Sequence, residues 1–470
     1  MEIKFINRED ELTFLEDIYS QKGMKVIILY GRRRVGKTEI IKTFLKGKDS
    51  LYFLADKRGT ELNAQRFARE AAQYFQDVPP DVHNFDDVFI YIVKRRPSLV
   101  VAIDEFSYLV ERDETIPSVF QLIVDEVLKG DYLLVLCGSS ISMMEKDTLS
   151  YRSPLYGRRT GQWLVNPLKF GDVLKFFSHY TFSQVIEAFS VVGNIPAYII
   201  KLDDSKSVFE NIQEKILKKG TFLYEEVEFL LRGELRDPSR YSSILEAVGG
   251  GATKLTEISH KSHVSTKDLP KYLKVLQNLH LTERIRPVTE KRGKKTIYRI
   301  SDQFFHFWFR FVHQNISYLE SGNTDYIMGL IKRDFNSFVG LSFEKICKEA
   351  LHELNNQRGL PFLFSTLGTW WGYYRDEQRR KEVEIDGVGL NEGTRDILFA
   401  ECKWKDNVNA EKVLDELKEK SKYVNWFNKT RKEHFVIFGK SFSDRTEDCL
   451  CFDIKDLENI FSEPISLRKT

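Results

Sequence analysis

The segment that most constrains this chain is Val26–Thr38, VIILYGRRRVGKT, in which an apolar run leads directly into a glycine-containing loop. Gly31, Gly36, Lys37 and Thr38 fit the pattern G-x-x-x-x-G-K-[ST] between a predicted strand and a predicted helix. The glycines allow backbone N–H groups and the helix N-terminus to surround phosphate oxygens. Lys37 places a positive charge against the β- and γ-phosphates, and the Thr38 hydroxyl is a ligand for Mg²⁺. The segment therefore predicts an α/β domain that binds a nucleoside triphosphate.

Length and composition narrow the classes of protein to which this chain can belong. A chain of 470 residues is long enough for about three domains. The 71 Lys and Arg residues nearly balance the 69 Asp and Glu residues, so the overall charge does not indicate a nucleic-acid partner. Binding through a local basic patch is still compatible with this balance. No apolar run reaches the ~18 residues that a membrane helix needs, and the N-terminus opens with charge. We therefore expect a soluble, cytoplasmic protein with no membrane partner.

An acidic pair follows the next apolar run. Leu99–Ile103 is continuously apolar, which is typical of a strand covered on both faces, and it ends in Asp104 and Glu105. Asp104 is expected to hold Mg²⁺ together with Thr38, and Glu105 to polarise the attacking water as a general base. Without the upstream loop, the same pair would be read as an acidic turn after a strand.

Two later segments add candidates. Tyr132–Cys137 predicts a third core strand, whose end faces the ligand crevice. Ser139 or Ser140 therefore either senses the γ-phosphate or caps the next turn. Ser153–Arg159, SPLYGRR, ends in paired arginines, of which Arg158 is the stronger candidate to stabilise charge in the transition state. The sequence does not indicate whether Arg158 acts in its own subunit or in a neighbour's.

Together these segments resemble the archaeal-type ATPase family of the AAA+/STAND P-loop ATPases, over roughly residues 1–230. The resemblance rests on FINRE near the N-terminus, YGRRRVGKT, IDEF, GSS and SPLYGRR. It implies ATP and Mg²⁺ as cofactors, Asn7 and Arg8 near the adenine, and Pro196, within the sequence GNIP, in a lid motif above the nucleotide. The implied nucleotide-binding residues are Gly31, Arg32, Arg33, Arg34, Val35, Gly36, Lys37, Thr38, Asn7, Arg8 and Pro196. Whether the three loop arginines contact a partner or a lid carboxylate is left open.

The middle of the chain predicts a winged helix-turn-helix. Three short helices, Tyr241–Val248 and two that begin near Leu255 and Ser265, precede two strand-like runs. Between the runs lies a basic tip that consists of Lys291, Arg292, Gly293, Lys294 and Lys295. In such folds the third helix can enter a DNA groove while the wing contacts phosphates. Asp268 and Pro270 in the third helix favour the alternative, a lid or a protein contact.

Composition and pattern shifts predict five regions. They are an ATPase core (1–170), a helical lid (171–235), the winged helix (236–302), an aromatic connector helix that docks between domains (303–330) and a C-terminal domain (331–470).

The C-terminal region contains a second constellation. Lys381–Val388 and Ile397–Ala400 predict a strand hairpin that brings Asp386 beside Glu401 and Lys403, with the latter two on one face. Two carboxylates and a lysine on one face can hold Mg²⁺ and activate water beside a phosphodiester. An E-x-K sequence alone would be an ordinary ion pair. Upstream, Glu344 lies on a predicted amphipathic helix and could complete the metal site.

The predicted order α-β-β-β-α-β resembles the PD-(D/E)xK nuclease superfamily, a restriction-endonuclease-like α/β fold. It is more closely similar to the uncharacterised C-terminal domain that follows archaeal-type ATPase modules, which the sequence TWWG at Thr369–Gly372 also fits. The resemblance implies a catalytic set of Glu344, Asp386, Glu401 and Lys403, a second Mg²⁺ or Mn²⁺, and DNA as the partner.

The sequence thus supports two main hypotheses. In the first, an ATPase controls metal-dependent DNA processing by the C-terminal domain. In the second, a STAND-like nucleotide switch regulates through DNA or protein binding without cleavage. Action on protein partners as an assembly factor, and self-association, are also compatible with the ATPase core.

Overall fold

The computed structural model describes residues 5–290, 295–375 and 380–462. The chain divides into two compact units. One runs to Leu168 and includes Ile195–Ala197, and the other comprises Lys169–Asn194 and the chain from Tyr198 onward. Each unit has its own five-stranded sheet. Within the described ranges, no helix combines the length and the apolar character needed to cross a membrane.

The first unit contains a parallel sheet in the order β2-β3-β4-β1-β5. Its strands are β1 (Lys25–Tyr30), β2 (Ser50–Leu54), β3 (Ser98–Asp104), β4 (Asp131–Gly138) and β5 (Gly161–Leu164). Its helices are α1 (Glu9–Tyr19), α2 (Lys37–Leu45), α3 (Thr60–Phe75), α4 (Phe85–Val93), α5 (Phe106–Arg112), α6 (Ile116–Leu122) and α7 (Ile141–Met143), with π-helical turns at Ile123–Val127 and Met144–Leu149. The predicted α/β class is confirmed.

The strands at the centre of this sheet explain where its site lies. Every residue of β1 is buried, and so are all but the first residues of β3 and β4, as expected for strands covered by helices on both faces. The register pairs Tyr30 with Gly138, and Ile103 with Leu136. The carboxyl ends of β1, β3 and β4 therefore share one edge, where ligands bind in open α/β sheets.

The second unit begins with helices and continues into the winged helix. These elements are α8 (Phe170–Leu174), α9 (Phe182–Val192), α10 (Pro196–Ile199, whose first two residues belong to the first unit), α11 (Val208–Asn211), a π-helical turn (Ile212–Ile216), α12 (Phe222–Glu234), α13 (Pro238–Gly249), α14 (Leu255–Ser262), α15 (Leu269–Asn278), β6 (Thr282–Ile285) and β7 (Ile297–Ile300). The last two strands form an antiparallel hairpin. Three helices followed by a hairpin match the predicted winged-helix order. The predicted basic residues Lys291, Arg292 and Lys294 lie outside the described residues.

The predicted connector differs from expectation. It consists of short pieces, namely α16 (Gln303–Phe307), a π-helical turn (Trp308–Val312), a 3₁₀ turn (His313–Asn315) and α17 (Ile316–Glu320). The phenylalanine and tryptophan side chains between Phe304 and Phe311 are buried within the second unit, whereas Tyr318 is exposed. The next helix, α18 (Thr324–Asn356), is 33 residues long and continuous, so the predicted boundary at residue 330 falls inside it.

The C-terminal part has a mixed sheet in the order β14-β12-β10-β9-β8. Its elements are β8 (Thr366–Arg375), β9 (Arg380–Asn391), β10 (Asp396–Lys403), β11 (Val408–Asn409), α19 (Ala410–Ser421), β12 (Lys432–Gly439), β13 (Phe442–Asp444), β14 (Leu450–Phe452) and α20 (Ile454–Ser462). β9 pairs antiparallel with β8 and β10, whereas β10 pairs parallel with β12. The elements α18, β8, β9, β10, α19 and β12 follow the predicted α-β-β-β-α-β order, with the two-residue strand β11 of a separate small sheet inserted before α19.

Candidate functional site

The loop between β1 and α2 requires glycine at both predicted positions, for different reasons. A Cβ on Gly31 would lie 2.5 Å from the carbonyl oxygen of Val165. Gly36 is the residue before α2 and has φ +100°, a left-handed conformation that L side chains rarely adopt. The loop therefore turns sharply into the start of α2, where backbone N–H groups are available to an anion.

Lys37 is held inside this loop by neutral oxygens. Its ammonium donates to the carbonyl oxygens of Gly31 at 2.8 Å and Arg32 at 3.0 Å, and the residue is buried. It forms no ion pair in the part of the chain that the structure describes. A buried cation with only carbonyl partners is favourably placed to exchange them for phosphate oxygens.

Asp104 gathers hydroxyl groups at the end of β3. Its Oδ2 accepts hydrogen bonds from the Thr38 hydroxyl at 2.7 Å and the Tyr52 hydroxyl at 2.9 Å, and its Oδ1 accepts from the backbone N–H of Glu105 at 2.9 Å. Burial and the adjacent Asp104 carboxylate raise the pKa of Tyr52. The structure thus brings Thr38 and Asp104 together as a pair of hard oxygen donors, which fits Mg²⁺.

Glu105 lies beside this pair in a strained conformation. Its φ is +54°, in the left-handed region, and its Oε2 accepts a hydrogen bond from the Ser139 hydroxyl at 2.6 Å. Strain of this kind is concentrated at functional sites. Besides the two predicted roles of Ser139, sensing the γ-phosphate or capping a turn, the structure indicates a third. Its hydroxyl orients Glu105, the candidate base.

The remaining predicted nucleotide contacts surround the loop. Arg8 donates to the Val35 carbonyl at 2.9 Å, to the Asn166 carbonyl at 3.0 Å and to the Glu11 carboxylate at 2.9 Å. Arg8 therefore fastens the segment before α1 to the loop. Pro196 begins α10 and belongs to the same compact unit as the loop.

Asn7 and the three loop arginines differ in backbone conformation and in their surroundings. Asn7 and Arg34 both have left-handed φ values, +45° and +71°. Arg33 donates to the hydroxyl of Tyr108 at 2.8 Å, and Arg32 is buried. A lid or partner contact for these arginines remains a prediction.

Arg158 does not join the P-loop residues. Its guanidinium forms an ion pair with Asp125 at 2.9 Å. Both residues precede strands, β5 and β4, so they lie toward the amino ends of the strands, whereas the P-loop follows the carboxyl end of β1. A role of Arg158 in its own P-loop finds no support here, and a role in a neighbouring subunit remains a prediction.

The C-terminal cluster is built on the hairpin of β9 and β10. Ala400 pairs with Gly387, which places Asp386 next to Glu401, and Asp386 accepts a hydrogen bond from the backbone N–H of Cys402 at 2.8 Å. This hairpin contact is the one that the sequence predicted.

Glu401 is the centre of the cluster. Its Oε1 accepts from the ammonium of Lys403 at 2.8 Å and that of Lys420 at 2.7 Å. Its Oε2 is buried and lacks a hydrogen-bond partner among the described residues. Burial alone would lower the pKa of Lys403, but the Glu401 carboxylate outweighs it and the pKa is raised. An unsatisfied buried carboxylate oxygen is the kind of group that a divalent cation would satisfy.

Glu344 and Asp386 are both partly buried carboxylates. Burial first, and the neighbouring carboxylate second, raise the pKa of Glu344 to about 7 and that of Asp386 to about 6, with Asp386 acting on Glu344 and Glu401 on Asp386. Arg299 of β7 lies 3.7 Å from Glu344 and 2.8 Å from Glu384.

The predicted three-carboxylate metal site is not formed as such. In the ranges given above, no three His, Cys, Asp or Glu side chains are arranged to hold a metal ion. Glu344 instead lies 3.7 Å from Arg299 of β7. The structure leaves Asp386 and Glu401 as the adjacent pair.

Sequence reasoning missed three contacts of these sites. Lys420 reaches Glu401 from α19, Tyr52 reaches Asp104 from β2, and Arg299 reaches Glu344 from the winged helix. Only Lys420 had a signal in the sequence, since it lies on the helix predicted to follow the hairpin.

The fold and the P-loop geometry define the first unit as a P-loop ATPase domain. Residues 5–202 match the family described as "ATPase domain predominantly from Archaea", and residues 308–413 match the family described as "Archaea bacterial proteins of unknown function". An uncharacterized protein of Methanocaldococcus jannaschii is 35% identical over 457 residues, which cover 96% of this chain and 99% of that protein. The chain belongs to the same family as that protein, with an archaeal ATPase domain followed by the domain of unknown function.

Other similarities are shorter or more distant. An uncharacterized ATP-binding protein of the same organism is 54% identical over 46 residues, 10% of this chain and 78% of that protein. The Walker-type ATPase of Pyrococcus abyssi is 20% identical with a TM-score of 0.46, covering 65% of this chain and 96% of that one. The ORC2 protein of Aeropyrum pernix is 14% identical with a TM-score of 0.45, covering 71% and 98%. At these TM-scores the two structures carry no argument about function.

Proposed function

We propose that this ATPase controls metal-dependent cleavage of DNA at the cluster of Asp386, Glu401 and Lys403. The observation that carries the proposal is the buried, unpartnered Oε2 of Glu401 beside Asp386, with two lysine ammonium groups on the other oxygen. A divalent cation satisfies that oxygen, and the lysines supply positive charge next to it.

In the ATPase site, each side chain has a separate task. Lys37 leaves its carbonyl partners to meet the β- and γ-phosphates, and Glu105, held by Ser139, accepts the proton of the attacking water. Thr38 and Asp104 would hold Mg²⁺, which neutralises charge on the phosphates when bound.

In the C-terminal site, Asp386 and Glu401 would hold Mg²⁺ or Mn²⁺, which when bound lowers the pKa of water and stabilises charge on the phosphodiester. Mg²⁺ commonly takes only one or two protein carboxylates, so this pair is sufficient. Lys403 is only partly buried, and its ammonium can turn from Glu401 to a non-bridging phosphate oxygen.

DNA is proposed as the substrate because of the winged helix next to this site in sequence. Lys271 and Lys274 lie exposed on α15, the helix that enters a groove in folds of this kind. The hairpin also carries Lys295, which pairs with Glu290 at 2.9 Å.

A second candidate function is a nucleotide switch that binds DNA or protein without cleavage. It is favoured by contacts of the winged helix with α18 and with the C-terminal sheet. Arg299 pairs with Glu344 and Glu384, and Lys254 lies 3.8 Å from Glu382. In these contacts the winged helix binds another part of the same protein, which is the role that a nucleotide switch requires.

A cleavage assay separates the two functions. Full-length protein is incubated with plasmid and oligonucleotide DNA and Mg²⁺ or Mn²⁺, with and without ATP. We expect Lys403→Ala to reduce cleavage at least about 10²-fold, Lys405→Ala to serve as the exposed, unaffected control, and Lys37→Ala to remove the dependence on ATP. An absence of cleavage with intact ATP hydrolysis would contradict the proposal and leave the switch as the better function.

A further inference from the structure

The second unit contains a cavity of ≈ 460 Å³ that the proposed chemistry does not use. Its walls come from the hairpin of the winged helix, from α18 and from the start of β8. A volume of this size falls in the range of small-molecule sites, which is about 300–1,000 Å³.

Two lysines direct positive charge into this cavity. Lys345 donates to the backbone carbonyl of Ser301 at 3.3 Å, and Lys348 donates to the Thr369 hydroxyl at 2.7 Å. Neither forms an ion pair with a carboxylate within residues 5–290, 295–375 and 380–462. They are three residues apart on α18, so they lie on the same side of the helix.

The third cation of the cavity is already compensated by carboxylates. Arg299 lines the cavity and is paired with Glu344 and Glu384. Glu283 and Glu344 are the acidic lining residues. Lys345 and Lys348, whose hydrogen-bond partners are neutral oxygens, are therefore the cations available to an anionic occupant, and lysine ammonium groups are common phosphate ligands.

The rest of the wall is mainly apolar. Tyr298, Ile300 and Leu341 line it, together with the ring of His306. Burial first, and the nearby cations Arg310 and Arg299 second, lower the pKa of His306 to about 4, so its ring is neutral at pH 7. Aromatic and apolar surfaces of this kind stack with nucleobases.

We propose that this cavity binds the phosphorylated terminal nucleotide of a nucleic acid strand. The phosphate contacts Lys345 and Lys348, and the base lies against the wall that contains Tyr298. The cavity adjoins the candidate cleavage cluster at Glu344, which lines the cavity and whose pKa is raised by burial and then by Asp386. The inference rests on the proposed function only in taking a nucleic acid strand as the substrate.

Binding of strand ends tests this inference. Single-stranded oligonucleotides with an internal fluorescent label carry a phosphate at the 5′ end, at the 3′ end or at neither. Fluorescence anisotropy follows their binding to full-length Lys37→Ala/Lys403→Ala protein in EDTA, so that neither ATP-site binding nor cleavage contributes. We expect one phosphorylated end to bind about tenfold more tightly than the hydroxyl end.

Variants assign that preference to the cavity. Lys345→Ala and Lys348→Gln are each expected to reduce the preference to about threefold or less, whereas Lys332→Ala, an exposed lysine of the same helix, retains it. Thermal unfolding confirms that each variant is folded, and Lys348→Gln preserves a long polar side chain.

Three results would overturn the inference. They are equal binding of phosphorylated and hydroxyl ends, a preference that survives in both lysine variants, and displacement of the strand by free nucleoside monophosphate at equal concentration. The last result would identify a free nucleotide as the ligand. Cleavage without any end preference would refute this inference and keep the proposed function, whereas end binding without cleavage would do the reverse.

Discussion

The two candidate sites hold their lysines in opposite ways. Lys37 of the P-loop donates only to backbone carbonyls, while Lys403 shares a carboxylate oxygen of Glu401 with Lys420. The first arrangement leaves the lysine charge uncompensated until a phosphate arrives. The second neutralises much of the charge beforehand, and it places two ammonium groups on one carboxylate oxygen. We therefore expect removal of Lys37 to abolish nearly all ATP hydrolysis. Removal of Lys403 or of Lys420 should reduce DNA cleavage by different amounts.

Lys37→Ala gives the largest expected effect. ATP hydrolysis should fall roughly 10²–10³-fold, because the ammonium group placed against the β- and γ-phosphates is lost. Phosphate release measures the rate, and Lys46→Ala, which removes an exposed lysine after α2, is the matched control. Similar losses of ATP hydrolysis in the two variants would show that Lys37 has no specific role in the reaction.

Glu105→Gln tests the base of the same site. We expect hydrolysis to fall about 10²-fold while ATP affinity stays within about twofold, because glutamine keeps the hydrogen bond from Ser139 but accepts no proton. Rates come from phosphate release and affinities from equilibrium titration. A parallel loss of affinity would assign Glu105 to binding instead.

Lys403→Ala and Lys420→Ala compare the two cations on Glu401. DNA cleavage should fall at least about 10²-fold for Lys403→Ala and about tenfold for Lys420→Ala. The reason is that Lys403 lies on the same strand face as Glu401, whereas Lys420 reaches Glu401 from α19. Equal losses would mean that the lysines act as one unit and would remove the contrast with the P-loop.

Two glycine substitutions compare the backbones of the regions. Gly31→Ala brings a Cβ to 2.5 Å from a backbone oxygen, whereas Gly387→Ala brings it to 3.1 Å from the Cβ of Ala400. We expect losses in unfolding free energy of about 2–3 kcal/mol and about 1 kcal/mol, respectively. Urea unfolding measures both, and the reverse order would contradict the comparison.

Arg158→Ala gives the smallest effect. In dilute protein we expect ATP hydrolysis to change less than about twofold, because Arg158 pairs with Asp125 away from the P-loop. A loss that appears only as protein concentration rises would place Arg158 in a neighbour's site. A large loss at high dilution would contradict the position described here.

The sequence predicted what is local and missed what packing brings together. The P-loop, the Asp104–Glu105 strand end and the hairpin of Asp386 with Glu401 are set by a few adjacent residues, and the structure contains them in the expected elements. The approach of Lys420 to Glu401 and of Arg299 to Glu344 depends on how helices and hairpins pack. No periodicity in one segment reports such a contact.

The predicted domain boundary at residue 330 falls inside a continuous helix. Composition changes there from aromatic to charged, but α18 continues through it because buried side chains recur at helical spacing from Ile327 to Leu354. A change in composition thus marked a change in what the chain packs against, and not a change of element.

The register of β9 with β10 makes the length of their connecting turn a condition for the site. Side chains alternate along a strand, so the pairing of Ala400 with Gly387 decides which residues of β10 stand beside Asp386. Inserting or deleting one residue in the turn at 392–395 would exchange Glu401 and Lys403 for Cys402 on that face. A register shift of two residues would return Glu401 and Lys403 to that face but move Glu401 away from Asp386, so relatives should keep the pair only where the register of this hairpin is kept.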